Sequence, residues 1–111
     1  MFDKLATIEA RYDEIERLMS DPAIMSDYSR IAEYSKERSA LSEIVEVYRE
    51  YRKQTRELEE AHALISTESD PELRAMAEEE IAALEASTQQ LTERLRLLLL
   101  PKDARDEKNV I

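Results

Sequence analysis

Glu59 and His62 are the two residues whose spacing comes closest to a catalytic motif. A Glu-x-x-His pair on one helix supplies part of a di-iron carboxylate site, which needs a second such pair and two further helices. His62 is the only histidine in the sequence, so a second pair cannot form. We therefore expect His62 to be structural or solvent-facing, and a helical metalloenzyme is disfavoured.

Two groups of glutamates could act as general acids or hold a cation. They are Glu57, Glu59 and Glu60, and Glu78, Glu79 and Glu80. Catalytic carboxylates need a pocket that shifts their pKa, whereas runs of like charge are typical of a solvated helix face. We therefore predict a solvated face, with no catalytic, cofactor-binding or metal-binding residue and no enzymatic activity in this chain.

A basic stretch with two tyrosines precedes the acidic residues. Its cations recur at helical spacing: Arg49, Arg52, Lys53 and Arg56. Arginines in such a stretch could contact RNA phosphates. We favour a second interpretation, in which Tyr48 and Tyr51 lie on a buried seam and the cations lie opposite Glu78, Glu79, Glu80 and Glu85 as solvated ion pairs.

Composition excludes several classes of function. The chain of 111 residues has no glycine and no cysteine, so it has no glycine-rich phosphate loop, no disulfide and no zinc knuckle. The net charge of −10 disfavours a nucleic-acid-binding surface over the whole domain and suits a basic protein partner. No apolar stretch approaches a signal core or the roughly 20 residues of a bilayer span, and we expect a cytoplasmic protein.

Residues spaced three and four apart predict three helices, each with one apolar seam. The seam residues are Leu5, Ile8, Tyr12, Ile15 and Met19 in the first helix, Ile31, Tyr34, Leu41, Ile44, Tyr48, Tyr51, Leu58 and Ile65 in the second, and Ala77, Ile81, Leu84, Thr88, Leu91, Leu95 and Leu98 in the third. The first runs from about Phe2 to Met19 and is ended by Asp21-Pro22, because proline cannot continue the hydrogen-bond ladder. The second begins after a cap at Ser26 or Asp27 and runs to about Ile65, and the third runs from Pro71 to Leu100 behind the cap Asp70. The fold predicted is all-α, an elongated antiparallel three-helix bundle with a projecting coiled-coil hairpin. The second and third helices form the hairpin, with the first packed along the end distant from its turn.

Charge divides this hairpin into two regions. Residues 57–85, here called the acidic segment, contain ten acidic residues and one base, Arg74. Arg49, Arg52, Lys53 and Arg56, here called the basic stripe, come just before it. We expect an acidic projecting tip whose neck carries the basic stripe.

The last ten residues indicate a domain boundary. Pro101 ends the helical pattern, residues 102–108 read as a charged connector, and Val110-Ile111 is a β-branched pair of the kind that begins a strand. We predict a helical domain over residues 1–101, with residues 102–111 as a connector and the start of a strand that belongs to a missing downstream domain.

Several sequence segments together resemble a known family. They are residues 1–5 (MFDKL) with Arg11-Tyr12, residues 18–22 (LMSDP) followed by Ser26-Asp27, residues 44–51 (IVEVYREY), residues 69–73 (SDPEL) and, most specifically, residues 98–103 (LLLPKD) with residues 106–111 (DEKNVI). The whole chain is similar to the N-terminal domain of bacterial peptide chain release factors of the type that reads the stop codons UAA and UAG.

The resemblance implies a division of labour. In that family a Pro-x-Thr-type loop reads the codon and a Gly-Gly-Gln motif assists ester hydrolysis; neither can be carried over to a residue of this chain. The family assigns to this domain a contact with the ribosome at the base of the large-subunit stalk and interplay with a recycling GTPase. It implies no membrane partner, no cofactor and no sequence-specific nucleic-acid contact by this chain.

The candidate ribosome-contacting surface combines both charged regions. It consists of Glu57, Glu59, Glu60, Glu68, Arg49, Arg52, Lys53 and Arg56. The alternative hypothesis is an acidic coiled-coil adaptor or dimerisation domain whose seam pairs with a second copy.

Overall fold

The computed structural model describes residues 1–101, which form helices and contain no strand. The helices are α1 (Phe2–Met19), α2 (Pro22–Met25), α3 (Tyr28–Thr67) and α4 (Pro71–Leu98). The all-α prediction is therefore confirmed for this part of the chain. The predicted connector and the strand at Val110-Ile111 lie outside the described residues.

Aspartates cap the starts of α2, α3 and α4. Asp21 Oδ1 accepts a hydrogen bond from the amide of Ala23 at 2.9 Å, and Asp70 Oδ1 accepts one from the amide of Glu72 at 3.0 Å. Both aspartates precede a proline, whose missing N–H costs nothing at the first helical position. At the start of α3, Asp27 Oδ1 accepts from the amide of Arg30 at 3.2 Å. The predicted helix boundaries are confirmed to within a few residues, and α3 continues without a break past Thr55.

The described residues pack as two compact units, one from Met1 to Glu46 and one from Val47 onward, and the boundary between them falls within α3. In the first unit the buried apolar side chains are Leu5, Ile15, Ile24, Ile44 and Val45. Leu5 and Ile15 belong to the predicted seam of α1. Ile24 comes from α2, so this one-turn helix adds a buried side chain of its own.

Two cross-helix ion pairs hold α1 against the first part of α3. Arg11 donates two hydrogen bonds to the carboxylate of Glu37, from Nε to Oε2 at 2.6 Å and from Nη2 to Oε1 at 2.8 Å. Arg38 donates to Glu16 at 3.0 Å and stands 5.4 Å from the ring centre of Tyr12. The paired hydrogen bonds from Arg11 lower the pKa of Glu37, and those carboxylate contacts raise the pKa of Arg11.

In the second unit, the later part of α3 and α4 form an antiparallel hairpin. Its buried apolar side chains are Val47, Tyr48, Ala61, Ala77 and Leu95. The predicted seam of α4 is confirmed in position, although Leu84 and Leu91 are only half-buried. Two buried residues of α3 in this hairpin, Val47 and Ala61, lie off the predicted seam. The small side chain of Ala61 gives little periodic signal.

Candidate functional site

The turn of the hairpin spans three residues, 68–70, and is closed by its own side chains. Glu68 Oε1 accepts from the amide of Asp70 at 3.0 Å, and Asp70 in turn caps α4. Arg74 donates from Nη1 to the carbonyl oxygens of Ile65 at 2.5 Å and Glu68 at 3.1 Å. The single base of the acidic segment therefore binds the backbone at the end of α3, where carbonyls lack helical partners.

The predicted acidic residues fall into two groups in the structure. Glu59 and Glu60 on α3 are exposed, as is the run Glu78, Glu79 and Glu80 on α4. Glu57 and Glu68 are half-buried, and Glu68 helps to form the turn. Of the four glutamates proposed from sequence as contact residues, Glu59 and Glu60 are therefore the two that face solvent.

The basic stripe lies on the solvent side of α3. Arg49, Arg52, Lys53 and Arg56 are all exposed, while Tyr48 is only 8% exposed and Tyr51 is half-buried. The guanidinium of Arg52 stands 4.9 Å from the ring centre of Tyr48, within the range of a cation–π contact. The prediction that both tyrosines lie on the seam is confirmed.

The predicted register between the basic stripe and α4 is wrong. Tyr51, Thr55 and Leu58 share an open depression of about 290 Å³ with Thr88, Gln89, Thr92 and Glu93, not with the run Glu78–Glu85. Glu85 instead lies near His62, with Nε2–Oε1 at 3.9 Å. Side chains lean towards the N-terminus of their own helix. In an antiparallel pair this lean shifts the side chains that meet by about one position on each helix. The observed offset is larger, since each α3 residue at the depression faces an α4 residue several positions later than simple counting from the turn gives.

The depression offers no activated nucleophile. The hydroxyl of Thr55 donates to the carbonyl of Tyr51 at 2.9 Å, and that of Thr92 donates to the carbonyl of Thr88 at 2.8 Å. Two hydrogen bonds from Arg96, at 2.6 and 3.0 Å, lower the pKa of Glu93. The carboxylate at the depression is therefore ionised at neutral pH and unsuited to donate a proton.

His62 is exposed, as the sequence predicted, and its side chain retains 58% of its accessible surface. Among residues 1–101 no three acidic or histidine side chains form a group that could hold a metal ion. In the same range no helix carries an apolar stretch of the length needed to cross a bilayer.

Three exposed apolar residues near the turn were missed by the sequence reasoning. Leu64, Leu73 and Met76 are 44%, 45% and 64% exposed. The signal was present in the sequence, since each is a large apolar residue at a position off the seam.

The sequence of this chain matches one protein family and is similar to several known proteins. The family that matches is the PCRF domain, over residues 8–111. The chain is 48% identical over 111 residues to "Peptide chain release factor 1" of Bacillus anthracis and 46% identical to the protein of that name from Bacillus subtilis (strain 168). These alignments include 100% of this chain but 31% of the length of each relative. The comparison with solved structures gives no significant match.

Proposed function

The chain belongs to the PCRF domain family, and from that premise we propose that it is the helical docking module of a translation release factor. The relatives are named peptide chain release factor 1, and the resemblance stated above links that type to the stop codons UAA and UAG. The module directs the factor to the ribosome in the cytoplasm, while codon reading and ester hydrolysis belong to other parts of such a factor.

The observation that carries this proposal is the exposed acidic surface beside a braced turn. Glu59 and Glu60 face solvent on α3, and Glu78, Glu79 and Glu80 face solvent on α4. Arg74 joins the first turn of α4 to carbonyls at the end of α3 and in the turn, and Asp70 caps α4, so these charges are presented on an ordered scaffold. Such a surface attracts a basic protein and is repelled by bare phosphates. A basic ribosomal protein at the base of the large-subunit stalk is the proposed partner, with interplay with a recycling GTPase as a consequence of that position.

A second candidate contact is the basic stripe. Its four cations are exposed, which supports a contact with ribosomal RNA phosphates. Arg52 is already placed over Tyr48, so Lys53 and Arg56 are the better residues with which to test this contact.

The test reverses two charges in a full-length release factor that carries this chain. Glu59→Lys with Glu60→Lys avoids Glu68, whose carboxylate and carbonyl hold the turn. The rate of association with ribosomes stalled at a stop codon should fall about two- to tenfold at low salt. The effect should shrink as salt rises, because exposed charges are screened over about 8–10 Å. The rate of ester hydrolysis in the bound complex should not change.

The matched control reverses two charges of opposite sign on the same helix, Lys53→Glu with Arg56→Glu. If the acidic surface makes the contact, this control should leave association unchanged or slightly faster. Unchanged association in the Glu59/Glu60 variant, together with slower hydrolysis, would refute the docking role. Loss of association in the control alone would make the basic stripe the ribosome-facing surface.

A further inference from the structure

Leu64, Leu73 and Met76 form what we call the turn patch. Single exposed apolar residues are normal on a protein surface, but a contiguous group indicates a contact site. The three side chains are between 44% and 64% exposed. They indicate a contact site only if the three side chains form one contiguous patch.

The side of the hairpin on which they lie follows from the contact between His62 and Glu85. These two residues meet across the helices at 3.9 Å and so mark one side of the hairpin. At about 100° per residue, Leu64 lies about 200° around α3 from His62, and Met76 lies about 180° around α4 from Glu85. Leu64 and Met76 therefore both lie on the other side of the hairpin.

Their level along the hairpin follows from Arg74. Its guanidinium reaches the carbonyl of Ile65, which places the first turns of α4 beside the last turns of α3. Leu64 directly precedes Ile65, and Leu73 directly precedes Arg74. Leu73 and Met76 are three residues apart on α4 and so are neighbours on its surface. The three side chains therefore share one side and one level next to the turn.

Acidic residues surround this patch. Glu60 precedes Leu64 by four residues, and Glu72 and Glu80 stand four residues before and after Met76, so each lies on the same helix face as its apolar neighbour. All three glutamates are exposed. A second copy of this chain would bring acid against acid, and anionic lipids or nucleic acid would likewise be repelled. The charge selects a basic protein as the occupant.

We propose that the turn patch binds a basic protein element that inserts one or more apolar side chains between flanking lysines or arginines. This inference rests on the proposed docking function and divides the contact into two parts. The acidic rim speeds association through long-range attraction, and the apolar centre slows dissociation once water is excluded. The two parts therefore differ in their dependence on salt.

The first experiment identifies the occupant. The photo-crosslinking amino acid p-benzoylphenylalanine replaces Met76 in a full-length release factor that carries this chain, bound to ribosomes stalled at a stop codon. The control places the same amino acid at His62, which is similarly exposed but lies on the other side of the hairpin. We expect a crosslink from position 76, and not from position 62, to a basic ribosomal protein. A crosslink from position 76 to RNA or to a second copy of the factor, or no crosslink, would overturn the proposal.

The second experiment separates this inference from the docking function. The triple variant Leu64→Ser, Leu73→Ser, Met76→Ser is compared with Met25→Ser, Tyr28→Ser, which alters two exposed apolar residues of the first unit. Circular dichroism and melting temperature establish that both variants are folded. The triple variant should dissociate from the ribosome at least threefold faster at low and at high salt, and the control should match the parent factor.

Comparison with the Glu59/Glu60 variant distinguishes the two possible failures. If that variant associates more slowly but the folded triple variant dissociates at the parent rate, the turn patch is refuted and docking stands. If neither variant alters binding, the docking function fails as well. If the triple variant does not fold, the crosslink from position 76, where the parent residue is the most exposed of the three, decides the proposal.

Discussion

Individual leucines of α4 differ more in burial than their regular spacing suggests. Leu95 has 0% exposure, whereas Leu91, one turn earlier on the same seam, is half-buried. Spacing places both on one helix face but does not say how completely that face is covered at each level. We therefore expect a few fully buried seam residues to contribute most of the seam's share of the free energy of unfolding.

Truncation of Leu95 should be far more damaging than truncation of Leu91. Leu95→Ala should lower the free energy of unfolding by about 2–5 kcal/mol, since it leaves a cavity at a fully buried site. Leu91→Ala should cost about 1 kcal/mol, because part of its side chain is already in water in the folded state. Urea unfolding followed by circular dichroism measures both. Gln90→Ala, at the exposed position directly before Leu91, should change stability by less than about 0.5 kcal/mol. Equal effects at positions 91 and 95 would contradict the difference in burial between the two leucines.

Glu37 should make stability fall in acid. Its folded pKa lies below its unfolded value because Arg11 donates two hydrogen bonds to the carboxylate. The folded state therefore binds fewer protons, and the stabilisation is present above the unfolded pKa, about 4.3, and lost as pH falls through the lower folded value. Glu37→Gln should lower the melting temperature at pH 7 and have little effect at pH 2. Glu33→Gln removes the same charge from an exposed site on the same helix. Its effect on the melting temperature should be small at both pH 7 and pH 2.

The helices were largely predictable from sequence because their ends are marked by strong local chemistry. Asp21-Pro22 and Asp70-Pro71 combine a capping carboxylate with a residue that cannot continue a preceding helix. The predicted first helix agrees with α1 at both ends, and α4 begins at the predicted Pro71. The end of α3 is set at Thr67 by the geometry of the turn, and no single residue signals it.

The register of the hairpin could not be read from the chain. Counting outward from the turn placed the basic stripe opposite Glu78–Glu85, whereas residues 51–58 share their depression with residues 88–93. The lean of side chains supplies only about one position of this offset on each helix, and a pattern of seam residues contains no information about the rest. The sequence therefore predicts the exposed acidic residues as a group, but it does not predict which residues of α3 and α4 lie opposite one another.

The cap of α4 should contribute measurably to the hairpin. Asp70→Ala removes the acceptor for the amide of Glu72 and should cost about 1 kcal/mol. Asp70→Asn keeps a side-chain acceptor and should restore most of that loss. Hydrogen exchange at the Glu72 amide gives the local readout. Equal exchange rates in the parent and in Asp70→Ala would show that the cap does not protect this amide.

At the scale of the whole molecule, the sequence predicts the acidic surface but not the turn patch that the acidic residues surround. Glu59 and Glu60 are exposed as expected, since charged residues rarely leave solvent unless paired. The exposure of Leu64, Leu73 and Met76 depends on where the hairpin ends and which sides its helices present. Those facts require the packed structure.

The chain by itself should not release a peptide from the ribosome. It contains no glycine, and the motif linked by family resemblance to ester hydrolysis requires two. Purified chain added to ribosomes stalled at a stop codon should leave the peptidyl-tRNA ester at the buffer level, with a full-length release factor as the positive control. Release above buffer would mean that hydrolysis has a source within these 111 residues.

The position of Arg74 also allows trypsin cleavage to report local opening of the hairpin. Between Arg56 and Arg94 it is the only site that trypsin recognises, and its side chain is engaged with two backbone carbonyls across the turn. A protease must first release that side chain and unwind the adjoining backbone. Because this local opening is fast and reversible in most proteins, the rate at which the peptide bond after Arg74 is cut measures how often the two helix ends separate. A ligand on either side of the turn would register as protection of this single bond.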